Sequence, residues 1–202
     1  MVFASFLIFC GISEVFGLNI SELADRLERS PVIAATHNNT DGAVSSPSEI
    51  IFYLKANLLN VRDRIASAHE ADKAIFIHID LADGIGKDKT GIEFLKSCGA
   101  DGIISTRGQL IRQAKDAGLL TVQRFFILDS QGISSMSESL ELSKPDAIEI
   151  MPGVIPKAIK LFSGLPVPVI AGGLIETKQE VTAALDCGAA AVSTGKEKLW
   201  YI

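Results

Sequence analysis

Cysteine is scarce and badly arranged for scaffolding. The 202-residue chain holds three cysteines, Cys10, Cys98 and Cys187. The number is odd, and no Cys-x-x-Cys or Cys/His spacing occurs, which argues against a disulfide framework and a structural zinc site. A reducing, cytoplasmic setting is the expectation. Positive charge is also in short supply: 19 Lys and Arg face 24 Asp and Glu, a net charge of −5. Indiscriminate nucleic-acid binders carry a basic surface, so any RNA contact here must be local. One tryptophan and two tyrosines leave few rings for stacking on bases beyond the phenylalanines. Long apolar runs are missing as well. Residues 1–18 carry Phe3, Phe6, Phe9 and Phe16, but Glu14 interrupts them and no basic segment precedes them. They fit neither a signal peptide nor a membrane span. They read as a buried or barrel-capping N-terminal extension, with an upstream-extended coding frame as the alternative. Residues 19–202 read as one domain. No Gly-x-Ser-x-Gly, Walker or His-Glu-x-x-His motif is present.

What the chain does have is apolar content, 48% of its residues, arranged in alternation. Eight strand-like runs are legible: Val32–Ala35, Ile50–Leu54, Ala74–Ile79, Gly102–Ser105, Leu120–Phe126, Ala147–Met151, Val167–Ala171 and Ala190–Ser193. Helical patterns separate most of them, at Val61–Ala71, Thr90–Lys96, Gly108–Ala117, Met136–Leu142, Pro156–Phe162 and Thr177–Asp186. Strands alternating with short helices predict βαβ units and a parallel sheet. The fold class is α/β, a compact TIM-type (β/α)₈ barrel. Two departures are expected. The first crossover, Thr36–Glu49, is polar and has room for at most one helical turn. Too few residues follow strand eight for a full last helix. Ile20–Arg29, with Leu23 and Leu27 on one face, is expected to replace it near the groove between the first and last strands.

Functional signals concentrate at the strand ends. Val169–Ile175 and Ala190–Lys196 are apolar runs that break into small residues at Gly172-Gly173 and Ser193-Thr194-Gly195. In barrels of this kind the loops after the last two strands commonly cup a phosphate with backbone N–H groups. A following helix N-terminus would add partial positive charge. Alternation places Phe76, His78 and Asp80 on one face of strand three, opposite Ile75, Ile77 and Ile79. Strand six places Glu149 opposite Ile148 and Ile150. Arg124, Lys55 and Arg107 lie on or just after strands five, two and four. Acids and bases thus converge on the carboxyl mouth. Asp80 and Glu149 suit hydroxyl groups; Lys55, Arg107 or Lys196 suit a phosphate dianion. Lys196 either adds to that charge or points to water. The plainer alternative is a structural Arg124–Glu149 ion pair and a satisfied core His78. His37 reads as a loop residue.

The runs FIHIDLADGIGKDKTGIEFLKSCGADGIISTRGQLIRQAKDAGLLTVQRFFILDS, PDAIEIMPGVIPKAI, PVIAGGLIET and AAAVSTGKEKLW resemble the glycerol-uptake operon antiterminator regulatory family, from about Ser30 to Trp200. The resemblance implies a TIM-barrel-like transcription regulator that senses sn-glycerol 3-phosphate and, when loaded, acts on the leader mRNA of glycerol-utilisation genes. It implies an RNA-binding protein with a small phosphorylated effector, no cofactor and no catalysis, acting alone or as a homo-oligomer. The ligand residues it implies are Lys55, Asp80, Arg107, Arg124, Glu149, Gly153, Gly172, Gly173, Ser193 and Thr194, with Gly195 and Lys196 beside them. The competing expectation is a sugar- or triose-phosphate isomerase, epimerase or lyase, with His78, Asp80 and Glu149 as acid–base groups.

Overall fold

A computed structural model describes residues 18–202 except Leu128. Eight parallel strands close into a barrel in chain order: β1 (Val32–Thr36), β2 (Ile50–Tyr53), β3 (Ala74–His78), β4 (Gly102–Ser105), β5 (Leu120–Phe126), β6 (Ala147–Met151), β7 (Val169–Gly172) and β8 (Ala191–Thr194). Helix α1 (Ile20–Arg29) precedes β1. Helices α2 (Thr40–Ser45), α3 (Val61–Glu70), α4 (Lys89–Ser97), α5 (Gly108–Asp116), α6 (Ser130–Ser143), α7 (Pro156–Phe162) and α8 (Lys178–Asp186) connect consecutive strands.

Side-chain alternation sorts the core into two layers. Ile75, Ile77, Ile148 and Ile150 belong to the layer between sheet and helices. Phe52, Phe76, Ile104 and Ile170 fill the barrel interior, where the rings of Phe52 and Phe76 pack at 5.8 Å. Short polar residues set several helix starts by accepting an amide three residues on: Asn19 from Glu22, Asn39 from Gly42, Asp88 from Gly91 and Asp129 from Gly132. At the helix exits Gly99 and Gly188 take left-handed backbone, φ 92° and 96°, which returns the chain to the next strand.

The two irregular ends differ from the sequence expectation. Helix α2 completes six residues rather than a single turn. Helix α1 does not fill the groove between β1 and β8. It closes the amino end of the barrel, where Leu23 and Leu27 join the interior layer beside Leu120, Ala147 and Ala191. Its arginines fasten it there: Arg26 donates to the Asp72 carbonyl and carboxylate before β3, and Arg29 grips Glu49 before β2. The outside of β1 and β8 is covered instead by a 3-10 turn, Glu197–Tyr201. Leu199 and Trp200 bury there, and the Trp200 indole N–H donates to the Thr194 carbonyl at 2.8 Å. An aromatic anchor on one short turn thus does the covering of a helix. The N-terminal extension lies outside the described residues except for Leu18, which packs against the interior layer. Among the described residues, no helix is long and apolar enough to cross a membrane.

Candidate functional site

The carboxyl mouth holds a cavity of about 440 Å³. That is within the range of small-molecule sites. Its floor is built by neighbouring strands. Arg124 and Glu149 are register partners on β5 and β6, and both side chains turn inward because their positions alternate with Gln123 and Ile148. The guanidinium Nε of Arg124 donates to one Glu149 oxygen at 2.5 Å. The Ser193 hydroxyl donates to the other oxygen at 2.5 Å. Glu149 is 1% exposed and Arg124 8%. Burying both charges is expensive, and the short paired contacts offset that cost. The plainer reading of Arg124–Glu149 as an ion pair therefore holds, and the pair also forms the cavity floor.

Gly172 explains itself by that carboxylate. A Cβ on Gly172 would overlap Glu149 Oε1 and stand 2.8 Å from Ser193 Oγ. The missing side chain makes room for Glu149. Gly153 acts similarly in the neighbouring loop. Its N–H donates to the Gly172 carbonyl, and a Cβ there would strike the Gly172 amide at 2.7 Å. These two glycines clamp the β6 and β7 ends together. Gly173 has φ 76° and lines the cavity, followed by Leu174 at φ 61°.

The β8 end is tied to β7 by Thr194. Its hydroxyl donates to the Ile175 carbonyl and accepts the Lys196 amide. Among the described residues, the amides of Gly173, Leu174 and Gly195 meet no protein acceptor. All three residues line the cavity. Lys196 reaches its edge and pairs with Glu176 at 2.8 Å. The start of α8 is closed to an anion. Glu180 accepts the Glu176 and Thr177 amides, and Thr177 accepts the Glu180 amide. Those amides hold the Glu180 carboxyl below its ordinary pKa. The partial positive charge expected from this helix is already neutralised by its own side chain.

Of the twelve residues expected at the site, Arg124, Glu149, Gly173, Ser193, Thr194, Gly195 and Lys196 line the cavity. Lys55 is exposed beyond β2 and is not among the lining residues. Asp80 also lies elsewhere. The chain leaves β3 through a 3-10 turn, Ile79–Leu81, and the strand alternation stops there. Asp80 turns toward the loop after β4 instead, accepting the Thr106 amide at 2.7 Å and the Ser105 and Thr106 hydroxyls. Arg107 pairs with it at 3.3 Å. Asp80 and Arg107 are thus a loop brace. His78 is 3% exposed. Burial, reinforced by the positive charge of Arg124, pushes its pKa down to about 4, so it is neutral at pH 7. Among the described residues its Nδ1 has no hydrogen-bond partner, so it is not a fully satisfied core histidine. The two carboxylates of the supposed acid–base trio are already engaged: Asp80 is committed to the β4 loop, and Glu149 is held by two donors. Ala35, His37, Leu54, Met151, Leu174, Ile175 and Glu176 also line the cavity, although none was among the expected site residues and His37 was expected only as a loop residue. The available signal was position alone, since each lies near or beyond the end of a strand.

Fold and site together define a closed β/α barrel with a ligand-sized cavity at the carboxyl end of its strands, lined by paired charges and free amides. The chain belongs to the glycerol-3-phosphate responsive antiterminator family, whose model matches residues 32–200. It is 34% identical over 84% of its length to a glycerol uptake operon antiterminator regulatory protein from Listeria monocytogenes, covering 94% of that chain at a TM-score of 0.78. A glycerol uptake operon antiterminator-related protein from Thermotoga maritima is 31% identical, with 85% and 98% of the two chains covered and a TM-score of 0.76. The uncharacterized protein YgcP of Escherichia coli (strain K12) is 34% identical over 180 residues, 87% of this chain and 94% of that protein. A putative deoxyribose-phosphate aldolase from Coccidioides immitis, 12% identical at a TM-score of 0.66, shares the fold alone.

Proposed function

We propose that this chain is an effector-dependent antiterminator that binds sn-glycerol 3-phosphate in the mouth cavity and, once loaded, engages leader RNA of glycerol-utilisation genes. The observation that carries the reading is the set of unclaimed amides at Gly173, Leu174 and Gly195, on the same cavity as Arg124 and Lys196. Unpaired amides beside a cavity suit an anion, and a cation beside them favours a phosphate ester over a neutral polyol. Family membership supplies the choice of phosphate ester and the regulatory role. The ligand acts as a switch to the extent that it binds the RNA-competent state more tightly than the other. A catalytic role is disfavoured by the commitment of the Asp80 and Glu149 carboxylates to donors within the protein.

Trp200 offers a direct assay. It is the single tryptophan of the chain, and its indole is bonded to Thr194 at the edge of the site. Titration with sn-glycerol 3-phosphate, followed by its fluorescence and by calorimetry, is expected to saturate, whereas glycerol produces no response. Leader-RNA affinity, measured at one fixed salt concentration, is expected to rise with the ligand present. Failure of the phosphate ester to bind refutes the sensor. Binding without any change in RNA affinity refutes the regulator.

A further inference from the structure

Among the described residues, two cations line the mouth cavity, Arg124 and Lys196; each is already paired, and the two pairs differ in strength. Arg124–Glu149 is buried and held on both carboxylate oxygens. Lys196–Glu176 stands in water, with side chains 48% and 59% exposed. Exposed pairs of that kind contribute little and exchange readily. An anion entering the cavity therefore meets one cation that it cannot release and one that it can. Glu176 lines the same cavity as Lys196, so its carboxylate competes for the ammonium and repels the incoming charge. The backbone favours that position. The Glu176 amide donates to the Glu180 carboxylate at 2.8 Å, which fixes the backbone just before α8, and the Glu176 carboxylate meets the Lys196 ammonium at 2.8 Å.

We propose that Glu176 is a built-in competitor for the phosphate group: a phosphate monoester must take Lys196 from Glu176 to bind, and this exchange sets the effector concentration at which the sensor fills. The proposal rests on the phosphate-ester reading of the cavity. It makes Glu176 a threshold-setting residue and Lys196 the cation that is exchanged.

The test is calorimetric titration of the full chain with sn-glycerol 3-phosphate at low, fixed ionic strength. Wild type, Glu176→Gln, Lys196→Gln and the double variant are compared. A unit charge pair at about 4 Å in water corresponds to roughly a fivefold change in affinity. Glu176→Gln is expected to bind about fivefold more tightly than wild type, and Lys196→Gln more weakly. The gain from Glu176→Gln is expected to shrink in the Lys196→Gln background, because there is no longer a cation to free. Wild-type binding with no gain in Glu176→Gln overturns the proposal. An equal gain in both backgrounds also overturns it, since Glu176 would then act by repulsion alone. Absence of wild-type binding overturns the phosphate-ester reading itself, and this inference with it.

Discussion

Replacing Glu149 by glutamine isolates the charge that holds the cavity floor. The substitution keeps the shape of the side chain and removes its negative charge. Arg124, 8% exposed, then keeps a buried positive charge without its counter-ion. Ser193 loses the carboxylate that accepts its hydroxyl, although the glutamine amide offers a partial substitute. Breaking a buried pair by removing one partner costs about 3–5 kcal/mol. In a domain of this size each kcal/mol moves the midpoint by about 2–4 °C. The expected fall in Tm is therefore roughly 6–20 °C, measured by scanning calorimetry near pH 7. A companion variant, Arg124→Met with Glu149→Leu, removes both charges together. Because apolar replacement of a whole buried pair is often neutral or stabilising, it should recover most of the loss. It should still fail to bind sn-glycerol 3-phosphate, which would separate the structural role of the pair from its role in the site. A Glu149→Gln midpoint within about 2 °C of wild type would refute the argument. It would mean that Arg124 is solvated well enough to stand alone.

Two further outcomes test the same geometry. Gly172→Ala drives a methyl into Glu149 Oε1, with no flexible chain end free to yield, since that oxygen is held by Ser193. Overpacking of this kind costs about 1–3 kcal/mol, and a lowered urea midpoint checks it. His78 predicts an acid limb. Its pKa is about 4 when folded, against 6.5 for the free side chain, so between these values the unfolded chain binds more protons. Stability contributed by neutral His78 is complete above about pH 6.5 and is lost as pH falls toward 4, by roughly 3 kcal/mol. His69 works in the opposite sense. Its bond to Asp101 raises its pKa, so its contribution is complete below about pH 6.5 and disappears as pH rises through the folded value. Urea midpoints for His78→Gln across pH 4–7 should show a shallower acid limb than wild type; an unchanged slope would discount the buried neutral imidazole.

Much of the barrel was legible locally. Strand β3 announces itself by the alternation of Ile75 and Ile77 with Phe76 and His78, and that alternation correctly assigned inside and outside. The alternation failed one residue later. Asp80 was assigned to the interior by extending the strand through Ile79, but the backbone turns at Ile79–Leu81. The carboxylate is drawn sideways by the Thr106 amide, a partner 26 residues away in the chain. Gly172 was read as a place where a side chain cannot be, and the structure gives a reason for that within the protein itself. The occupant is Glu149, which no local pattern could name. Lys55 and Arg107 were grouped with the site because they follow strands, yet following a strand fixes only the end of the barrel, not the direction of a long side chain. The leucines of α1 were recognised as an apolar face, but its destination was misplaced. Arg26 and Arg29 choose it through Asp72 and Glu49, contacts invisible until the chain closes.

The amino-acid sequence by itself determined the order of the strands and helices and the inner and outer faces of the strands, but not every helix length: α6 was legible only over Met136–Leu142 and runs Ser130–Ser143. Those properties follow from helical and strand periodicity and from caps, which act over a few residues. Tertiary structure alone decided that Arg124, Glu149 and Ser193 share one floor and that Glu176 faces Lys196 across the mouth. It also decided that α1 plugs the opposite end. Those outcomes depend on register and closure, which bring together groups from distant strands, and no short-range pattern encodes such pairings.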